Sequence, residues 1–211
     1  MDAQSFLDRL EEPSEQVEQM SFDHLMAADH SAPPPATTVD QTPPVSGRHQ
    51  DVRLYLTVLL KTYAEMIDAG LVREAPFAVR LSADRTYQPD ITFVASRSYD
   101  RVSDTYVEGA PDLVMEVLTR ESTALDRGEK FVAYEAAGVR EYWLIDPVRE
   151  MVDLYALGPA DTYTSFRPDI AGRLRSRVLK GFMVELDVLW KRVLPTTTDI
   201  VSMVQTMTQQ R

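Results

Sequence analysis

The segment over residues 109–147 constrains the fold more than any other part of the sequence. It contains a short run of β-forming residues at 113–118, then a helix-forming stretch at 123–137 that Gly138 ends. A second apolar run, residues 142–145, has the length and composition of a buried strand. A strand, a helix and a buried strand in this order are typical of a sheet with a helix on its face, so we expect an α/β domain.

Helical and β-type patterns continue on both sides of this segment. Apolar residues recur at helical spacing over residues 47–69 and predict one amphipathic helix. Short β-type runs lie at residues 77–81 and 91–94, and three more follow at residues 151–157, 163–166 and 174–179. Together these elements predict a mixed central β-sheet flanked by helices, with extra late β-strands.

Composition divides the chain into three parts. Residues 1–45 are an acidic, Pro-rich N-terminal tail, with apolar residues spaced for one or two short helices and a linker at residues 31–45. Residues 46–194 hold the predicted α/β domain. Residues 195–211 are rich in Thr and Gln, so we expect a polar, frayed C-terminal tail.

The composition also excludes several classes of protein. The 211-residue chain has no cysteine, which excludes disulfides, thiolate metal sites and a cysteine nucleophile. No run approaches the roughly 20 apolar residues of a membrane-spanning helix, and the acidic N-terminus does not resemble a signal peptide. We therefore expect a cytoplasmic protein with no membrane partner.

The net charge of −11 argues at first against a nucleic-acid partner. Residues 1–45, however, contain nine acids and one base, whereas the rest of the chain contains 24 acids and 21 bases. The predicted domain is thus close to neutral, and its charge leaves a nucleic-acid partner open.

Glu116 is the most unusual residue of the central segment. Alternate side chains of a strand share a face, so Glu116 projects with Asp112 from an otherwise apolar run. Such a carboxylate is costly to bury without a cation or a hydrogen-bond donor. On the following helix, Asp126, Lys130 and Tyr134 lie four residues apart on one face, a spacing that also suits an ordinary Asp–Lys ion pair.

Asp90 is a second candidate acid, because the pair Pro89-Asp90 opens the predicted strand at residues 91–94. Two carboxylates at the ends of neighbouring strands can hold hard cations through oxygen ligands. A Mg²⁺ ion so placed polarises a phosphodiester and activates a bound water, and a nearby lysine orients that water or stabilises charge on the phosphate. These groups suffice to hydrolyse a nucleic-acid backbone.

The order of the motifs carries a family resemblance. Pro-Asp, a strand, Glu-Val-Leu, a helix with Asp-Arg-Gly-x-Lys-x3-Tyr, and Gly-Val-x-Glu-Tyr-Trp-x-x-Asp-Pro follow one another over residues 89–147. This series resembles the Uma-type restriction endonucleases of the PD-(D/E)XK nuclease superfamily. The resemblance implies a restriction-endonuclease-like core and a Mg²⁺- or Mn²⁺-dependent endonuclease that acts on DNA.

The resemblance also implies roles for individual residues. Asp90 and Glu116 would be the two acidic metal ligands, with the Val117 carbonyl near the same metal. The superfamily usually places its lysine two residues after the second acid, where this sequence is apolar. In the Uma-type group the lysine lies on the following helix, which nominates Lys130, with Tyr134 as its support.

Asp126 and Asp112 are supporting candidates, and Asp112 is also a rival of Asp90, because it too follows a proline. Along one strand, however, Asp112 and Glu116 would be about 13 Å apart at ~3.3 Å per residue, which is too far to share a metal. We therefore prefer Asp90 as the first acid.

Weaker signals concern contact with the substrate. His49 stands at the predicted start of the first helix, where a surface or capping histidine is the commoner case. Arg173, Arg175 and Arg177 alternate along a predicted strand, so one strand face would be basic and could touch phosphates, although a solvated face is the commoner explanation.

The sequence thus predicts a metal-dependent endonuclease that hydrolyses DNA phosphodiester bonds, with RNA as another substrate that such a site can serve. The alternative is a catalytically silent nucleic-acid-binding or protein-assembly module on the same fold. A homodimer would supply two sites for the cleavage of two strands.

Overall fold

A six-stranded mixed β-sheet forms the centre of the structure, a computed structural model that describes residues 45–210. From one edge to the other its strands are β1 (Gly70–Glu74), β4 (Ile91–Ala95), β6 (Leu113–Val117), β7 (Glu141–Asp146), β8 (Met151–Leu157) and β9 (Tyr163–Phe166). β6 and β7 pair in parallel, and the other neighbours pair antiparallel. The mixed central sheet that the sequence predicts is therefore confirmed.

Two smaller sheets and several helices surround this sheet. β2 (Ala78–Ser82) pairs antiparallel with β3 (Arg85–Tyr87) and parallel with β5 (Tyr106–Glu108), and β10 (Arg173–Arg175) pairs antiparallel with β11 (Met183–Glu185). The helices are α1 (Gly47–Met66), α2 (Thr123–Arg127), α3 (Glu129–Ala137), α4 (Leu186–Leu189) and α5 (Thr197–Gln209), with a 3₁₀ segment at Ser96–Arg101. Within residues 45–210, no helix combines the length and the apolar character needed to cross a membrane.

Helices cover both faces of the central sheet. The side chains of β6 accordingly alternate between two apolar clusters, one on each face. Leu113, Met115 and Val117 pack with α1 in the larger cluster, whereas Val114 packs with Tyr134 of α3 in the second. This alternation confirms the period of two that the sequence shows for this strand. Each strand residue thus has a defined face, which decides where a polar side chain in the run must point.

α1 is the long amphipathic helix that the sequence predicts. Its buried side chains recur every three or four residues, and the Ser46 hydroxyl caps its start by accepting a hydrogen bond from the His49 amide at 3.1 Å. The chain then turns into β1 at Gly70, where a β-carbon would lie 2.2 Å from the Val94 carbonyl oxygen. Glycine is required at this position because the backbone of β4 leaves no space for a side chain.

The C-terminal residues differ from the frayed polar tail expected of residues 195–211. They contain α5, whose start is fixed by a capping box between Thr196 and Asp199. One face of α5 is buried in the larger apolar cluster together with α1, through Ile200, Val204 and Met207. An apolar stripe at helical spacing is sufficient for packing, even within a stretch that is polar on average.

The single helix predicted over residues 123–137 is in fact two helices, α2 and α3, separated at Gly128. A β-carbon on Gly128 would lie 2.8 Å from the Ala124 carbonyl oxygen, so the backbone approaches itself closely there. The break lies between Asp126 and Lys130, two residues that the sequence predicts to be one turn apart on a single helix.

Strand pairing determines which loop ends meet at the edge of the sheet. β4 runs antiparallel to β6 with Ile91 opposite Met115. Asp90, the residue before β4, therefore lies beside Glu116 near the end of β6. The predicted N-terminal tail lies outside the described residues, apart from Val45.

Candidate active site

Asp90 and Glu116 lie side by side, and each carboxylate accepts a hydrogen bond from a backbone amide at or next to the other residue. The Asp90 amide donates to Glu116 Oε2 at 3.2 Å, and the Val117 amide donates to Asp90 Oδ2 at 2.8 Å. These bonds join the start of β4 to the end of β6, so the register of the sheet holds the two carboxylates together. The proposed role of the Val117 carbonyl as a metal ligand stays a prediction.

Three side chains surround Glu116 on one face of the sheet: Asp126 from α2, and Lys130 and Tyr134 from α3. We call this group the α3 flank. Lys130 Nζ lies 2.8 Å from Glu116 Oε1 and 2.7 Å from Asp126 Oδ1. The Tyr134 hydroxyl donates to the same Glu116 oxygen at 3.3 Å. The Glu116, Asp126 and Lys130 side chains are 4%, 2% and 11% exposed, so this flank is a buried and closely paired ionic cluster.

His49 and Arg53, which we call the α1 flank, approach Asp90 from the helix on the opposite face. His49 Nε2 lies 3.6 Å from Asp90 Oδ2, and an Arg53 guanidinium nitrogen lies 3.7 Å from Asp90 Oδ1. Both distances exceed those of a hydrogen bond. His49 is buried, and its Nδ1 has no hydrogen-bond partner among the residues that the structure describes. This flank is therefore loosely paired.

The buried charges of the α3 flank shift one another's protonation. Burial, together with the carboxylates of Asp126 and Asp90, raises the pKa of Glu116 to about 8, although Lys130 acts in the opposite direction. Burial would lower the pKa of Lys130, but the carboxylates of Glu116 and Asp126 outweigh it and raise that pKa. Lys130 is thus a stable cation, whereas Glu116 can exchange a proton near neutral pH.

The donor set at Asp90 and Glu116 suits a hard divalent cation. Within residues 45–210, no group of three or more His, Asp or Glu side chains is arranged to hold a metal ion. Mg²⁺ does not require one, because it keeps several waters and binds proteins through one or two carboxylates. Asp90 is partly exposed and its Oδ1 is only loosely paired, so one of the two carboxylates is accessible from water, whereas Glu116 is buried beside it.

The structure does not bring Asp112, a predicted supporting residue, into this cluster. Asp112 is buried at the other end of β6, where it accepts a hydrogen bond from the Ala95 amide at 2.8 Å. Arg97 donates to it, and Arg140 lies 3.4 Å away. These partners neutralise the carboxylate and fix the chain between β4 and β6, which is a structural role.

The structure does not place Arg173, Arg175 and Arg177 on one strand face as predicted, because β10 ends at Arg175. Arg175 donates from Nε to Asp169 at 2.8 Å, and the Arg177 guanidinium lies 4.4 Å from the centre of the Phe166 ring. The side chains of Arg175 and Arg177 therefore make different local contacts, and the contact of these arginines with phosphate stays a prediction.

The turn after β10 forms because Glu141, a buried acid at the start of β7, binds it. Glu141 accepts hydrogen bonds from the Ser176 hydroxyl at 2.7 Å and from the amides of Arg177 at 3.0 Å and Val178 at 2.9 Å. Glu141 pairs with Leu113, three residues before the Glu116 position, so this turn lies about 10 Å along the sheet from Glu116.

Arg53 is the site residue that the sequence analysis missed. Its signal was its position four residues after His49, which places both side chains on one face of α1. The candidates that the structure does bring together are Asp90, Glu116, Lys130, Asp126, Tyr134 and His49.

The amino-acid sequence also matches the model of a known protein family. Residues 29–186 match the model of the Uma2 family, described as "Putative restriction endonuclease". The chain belongs to the Uma2 family. No curated protein matches it significantly.

A comparison with solved structures supports the same fold for this Uma2 chain. A crystal structure from Anabaena variabilis ATCC 29413, described as "a putative nuclease belonging to DUF820", matches with a TM-score of 0.52 and 16% sequence identity. The match covers 77% of this chain and 84% of that one. At this identity the likeness establishes the mixed α/β fold alone. The Uma2 family and the fold together indicate a restriction-endonuclease-like nuclease.

Proposed function

We propose that this Uma2 chain is a metal-dependent endonuclease that hydrolyses DNA phosphodiester bonds, with Asp90 and Glu116 as ligands of Mg²⁺ or Mn²⁺. The observation that carries the proposal is an excess of carboxyl groups over cations around Glu116. The carboxyl groups of Glu116 and Asp126 share the single ammonium group of Lys130, and the adjacent Asp90 faces the more distant Arg53 guanidinium. Buried carboxylates are unfavourable without compensation, and a divalent cation provides it.

The residues around the two ligands have distinct tasks in this proposal. A bound Mg²⁺ would polarise the phosphodiester and lower the pKa of an attacking water. Lys130, held between Glu116 and Asp126, can orient that water or stabilise negative charge on the phosphate. Asp126 and Tyr134 are positioning residues, because they fix Lys130 and Glu116 in place.

DNA is the substrate that the family description favours, since a restriction endonuclease cleaves DNA. RNA presents the same phosphodiester chemistry, so the substrate test includes both polymers. Cleavage of both strands of a duplex would be served by a homodimer with one such site on each subunit.

The test is a cleavage assay on supercoiled plasmid with Mg²⁺, with Mn²⁺ and with EDTA. We expect nicking that depends on the metal and falls by about 1,000-fold or more in Glu116→Ala, because a metal ligand is lost. Glu65→Ala is the matched control, since Glu65 is an exposed acid on α1 that faces Lys61. Circular dichroism confirms that each variant is folded.

Cleavage that persists in EDTA, or in folded Glu116→Ala, would contradict the proposal. Cleavage of single-stranded RNA in preference to plasmid would retain the chemistry and change the substrate. Silence of the folded wild-type chain with every cation and polymer would favour the catalytically silent nucleic-acid-binding or protein-assembly module.

A further inference from the structure

We propose that Arg53 binds a backbone phosphate of the nucleic acid beside the metal-ligand carboxylates. The inference rests on the proposed function and adds to it a residue that contacts the substrate. Three observations carry it: the loose pairing of Arg53, the lack of any ion-pair partner other than Asp90 for its guanidinium group within residues 45–210, and the balance of charge at the site.

The first observation is that Arg53 keeps hydrogen-bond donors available. Its nearest guanidinium nitrogen lies 3.7 Å from Asp90 Oδ1, and the side chain is 31% exposed. A hydrogen bond would require about 2.7–3.2 Å. Lys130 offers the contrast, because it is nearly buried and has carboxylate oxygens at 2.8 and 2.7 Å. Of the two cations, Arg53 is the one that can turn to an incoming group.

The second observation comes from a neighbouring arginine of the same helix. Arg48 has an evident structural task, because it donates to the carbonyl oxygens of Leu189 and Lys191 and so connects α1 to the α4 region. The ion-pair partner of Arg53, among residues 45–210, is Asp90 alone. The position of Arg53 is thus explained by the site and not by the packing of α1.

The third observation is the balance of charge once the proposed cation is bound. The carboxylates of Asp90, Glu116 and Asp126 are then neutralised by one divalent ion together with Lys130. The positive charge of Arg53 stays uncompensated. A phosphodiester carries one negative charge, and a planar guanidinium group can bind two of its oxygens at once. A backbone phosphate therefore has the negative charge and the oxygen atoms to bind Arg53 closely, which Asp90 does not do in the free protein.

The test measures binding separately from cleavage. A fluorescein-labelled duplex of about 20 bp is titrated with protein by fluorescence anisotropy between roughly 50 and 200 mM KCl, with Ca²⁺ replacing Mg²⁺. We expect Arg53→Ala to bind about 5- to 10-fold more weakly at low salt, with a slope of log K against log[salt] smaller by about one. Arg53→Lys keeps the slope and part of the affinity, because it keeps the charge.

Arg73→Ala is the matched control, since Arg73 lies on β1 and contacts the Val72 carbonyl and the Phe77 ring. It should bind as the wild type does. Equal affinity and equal slope in wild type and Arg53→Ala, including no binding by either, would overturn the inference. Tighter Ca²⁺ binding by Arg53→Ala with an unchanged slope for DNA would also overturn it, because Arg53 would then serve only to neutralise Asp90.

The two proposals fail in different ways. If binding depends on Arg53 while the wild type cleaves nothing with Mg²⁺ or Mn²⁺, the phosphate contact holds and the nuclease proposal falls. If the wild type cleaves plasmid and Arg53→Ala binds and cleaves equally well, the nuclease proposal holds and the Arg53 inference falls.

Discussion

The α3 flank and the α1 flank each place a cation beside the Asp90–Glu116 pair, but the two cations differ in burial and in pairing distance. Lys130 of the α3 flank is buried and lies within 2.8 Å of two carboxylate oxygens, with the Tyr134 hydroxyl beside it. Arg53 of the α1 flank is partly exposed and lies 3.7 Å from Asp90. One flank is a fixed part of the folded protein, and the other leaves its charge free for a ligand.

This difference follows from desolvation. A buried ion must be paired closely, because an uncompensated charge away from water costs several kcal/mol. An exposed ion loses little when its partner is distant, since water solvates it. Stability should therefore depend on the α3 flank, whereas binding of a charged substrate should depend on the α1 flank.

Lys130→Ala should have the largest effect on stability. It leaves Glu116 and Asp126 buried without their shared cation, and we expect a loss of about 3 kcal/mol in the free energy of unfolding, measured with urea at pH 8. Lys130→Met, which keeps the aliphatic volume, should lose nearly as much. A loss of unfolding free energy smaller than that of Arg53→Ala would contradict the conclusion that stability depends on the α3 flank.

The pH dependence of stability should reveal Glu116. Its pKa is raised from 4.5 to about 8 on folding, so the folded state holds a proton that the unfolded state releases between these values. The stabilisation is complete below about pH 4.5 and is lost as the pH rises towards 8.

Glu116→Gln removes this titration. Relative to the wild type, its free energy of unfolding should rise by about 2 kcal/mol between pH 5 and pH 8, measured by urea denaturation. Glu65→Gln, at an exposed position, should follow the wild type at every pH. Parallel pH profiles for Glu116→Gln and wild type would show that Glu116 is already ionised in the folded protein.

Tyr134→Phe should have a smaller effect. It removes one hydrogen bond to Glu116 but keeps the ring contacts with Tyr87 and Tyr142. We expect a loss of about 1 kcal/mol, measured by thermal unfolding with calorimetry. Tyr155→Phe tests a hydroxyl of the neighbouring aromatic cluster for comparison. An effect as large as that of Lys130→Ala would mean that the hydroxyl, more than the ammonium, compensates Glu116.

Arg53→Ala should have the smallest effect on stability. A partly exposed and loosely paired arginine contributes about 0.5 kcal/mol or less, so the urea midpoint of Arg53→Ala should nearly match that of the wild type. A loss of several kcal/mol would show that the α1 flank is as structural as the α3 flank.

The residues of the central motif could be predicted because alternate residues of a strand lie on the same face of the sheet, so the sequence order gives the direction of each side chain. Glu116 was identified from one carboxylate in an apolar strand, and the structure shows it on the face opposite α1 with Lys130 and Tyr134 beside it. The pairing of Asp90 with Glu116 required the family resemblance, since no local pattern fixes which strands are neighbours.

The features that were missed depend on contacts distant in sequence or on short patterns in polar surroundings. Arg53 belongs to the site because α1 packs across the sheet from α3, which the sequence of α1 does not reveal. Arg177 leaves the predicted strand because Glu141, 36 residues earlier, binds its amide. α5 was overlooked because its few apolar residues are diluted by Thr and Gln.

Two direct hydrogen bonds join Asp90 to β6, one from the Val117 backbone amide to the Asp90 carboxylate and one from the Asp90 amide to the Glu116 side chain. The distance between the two carboxylates is fixed by these bonds and by the strand register, and not by the length of the 17-residue connection between β4 and β6. The exposed bend at Asp104 within this connection is accordingly a position at which an inserted loop should leave the spacing of the two carboxylates unchanged.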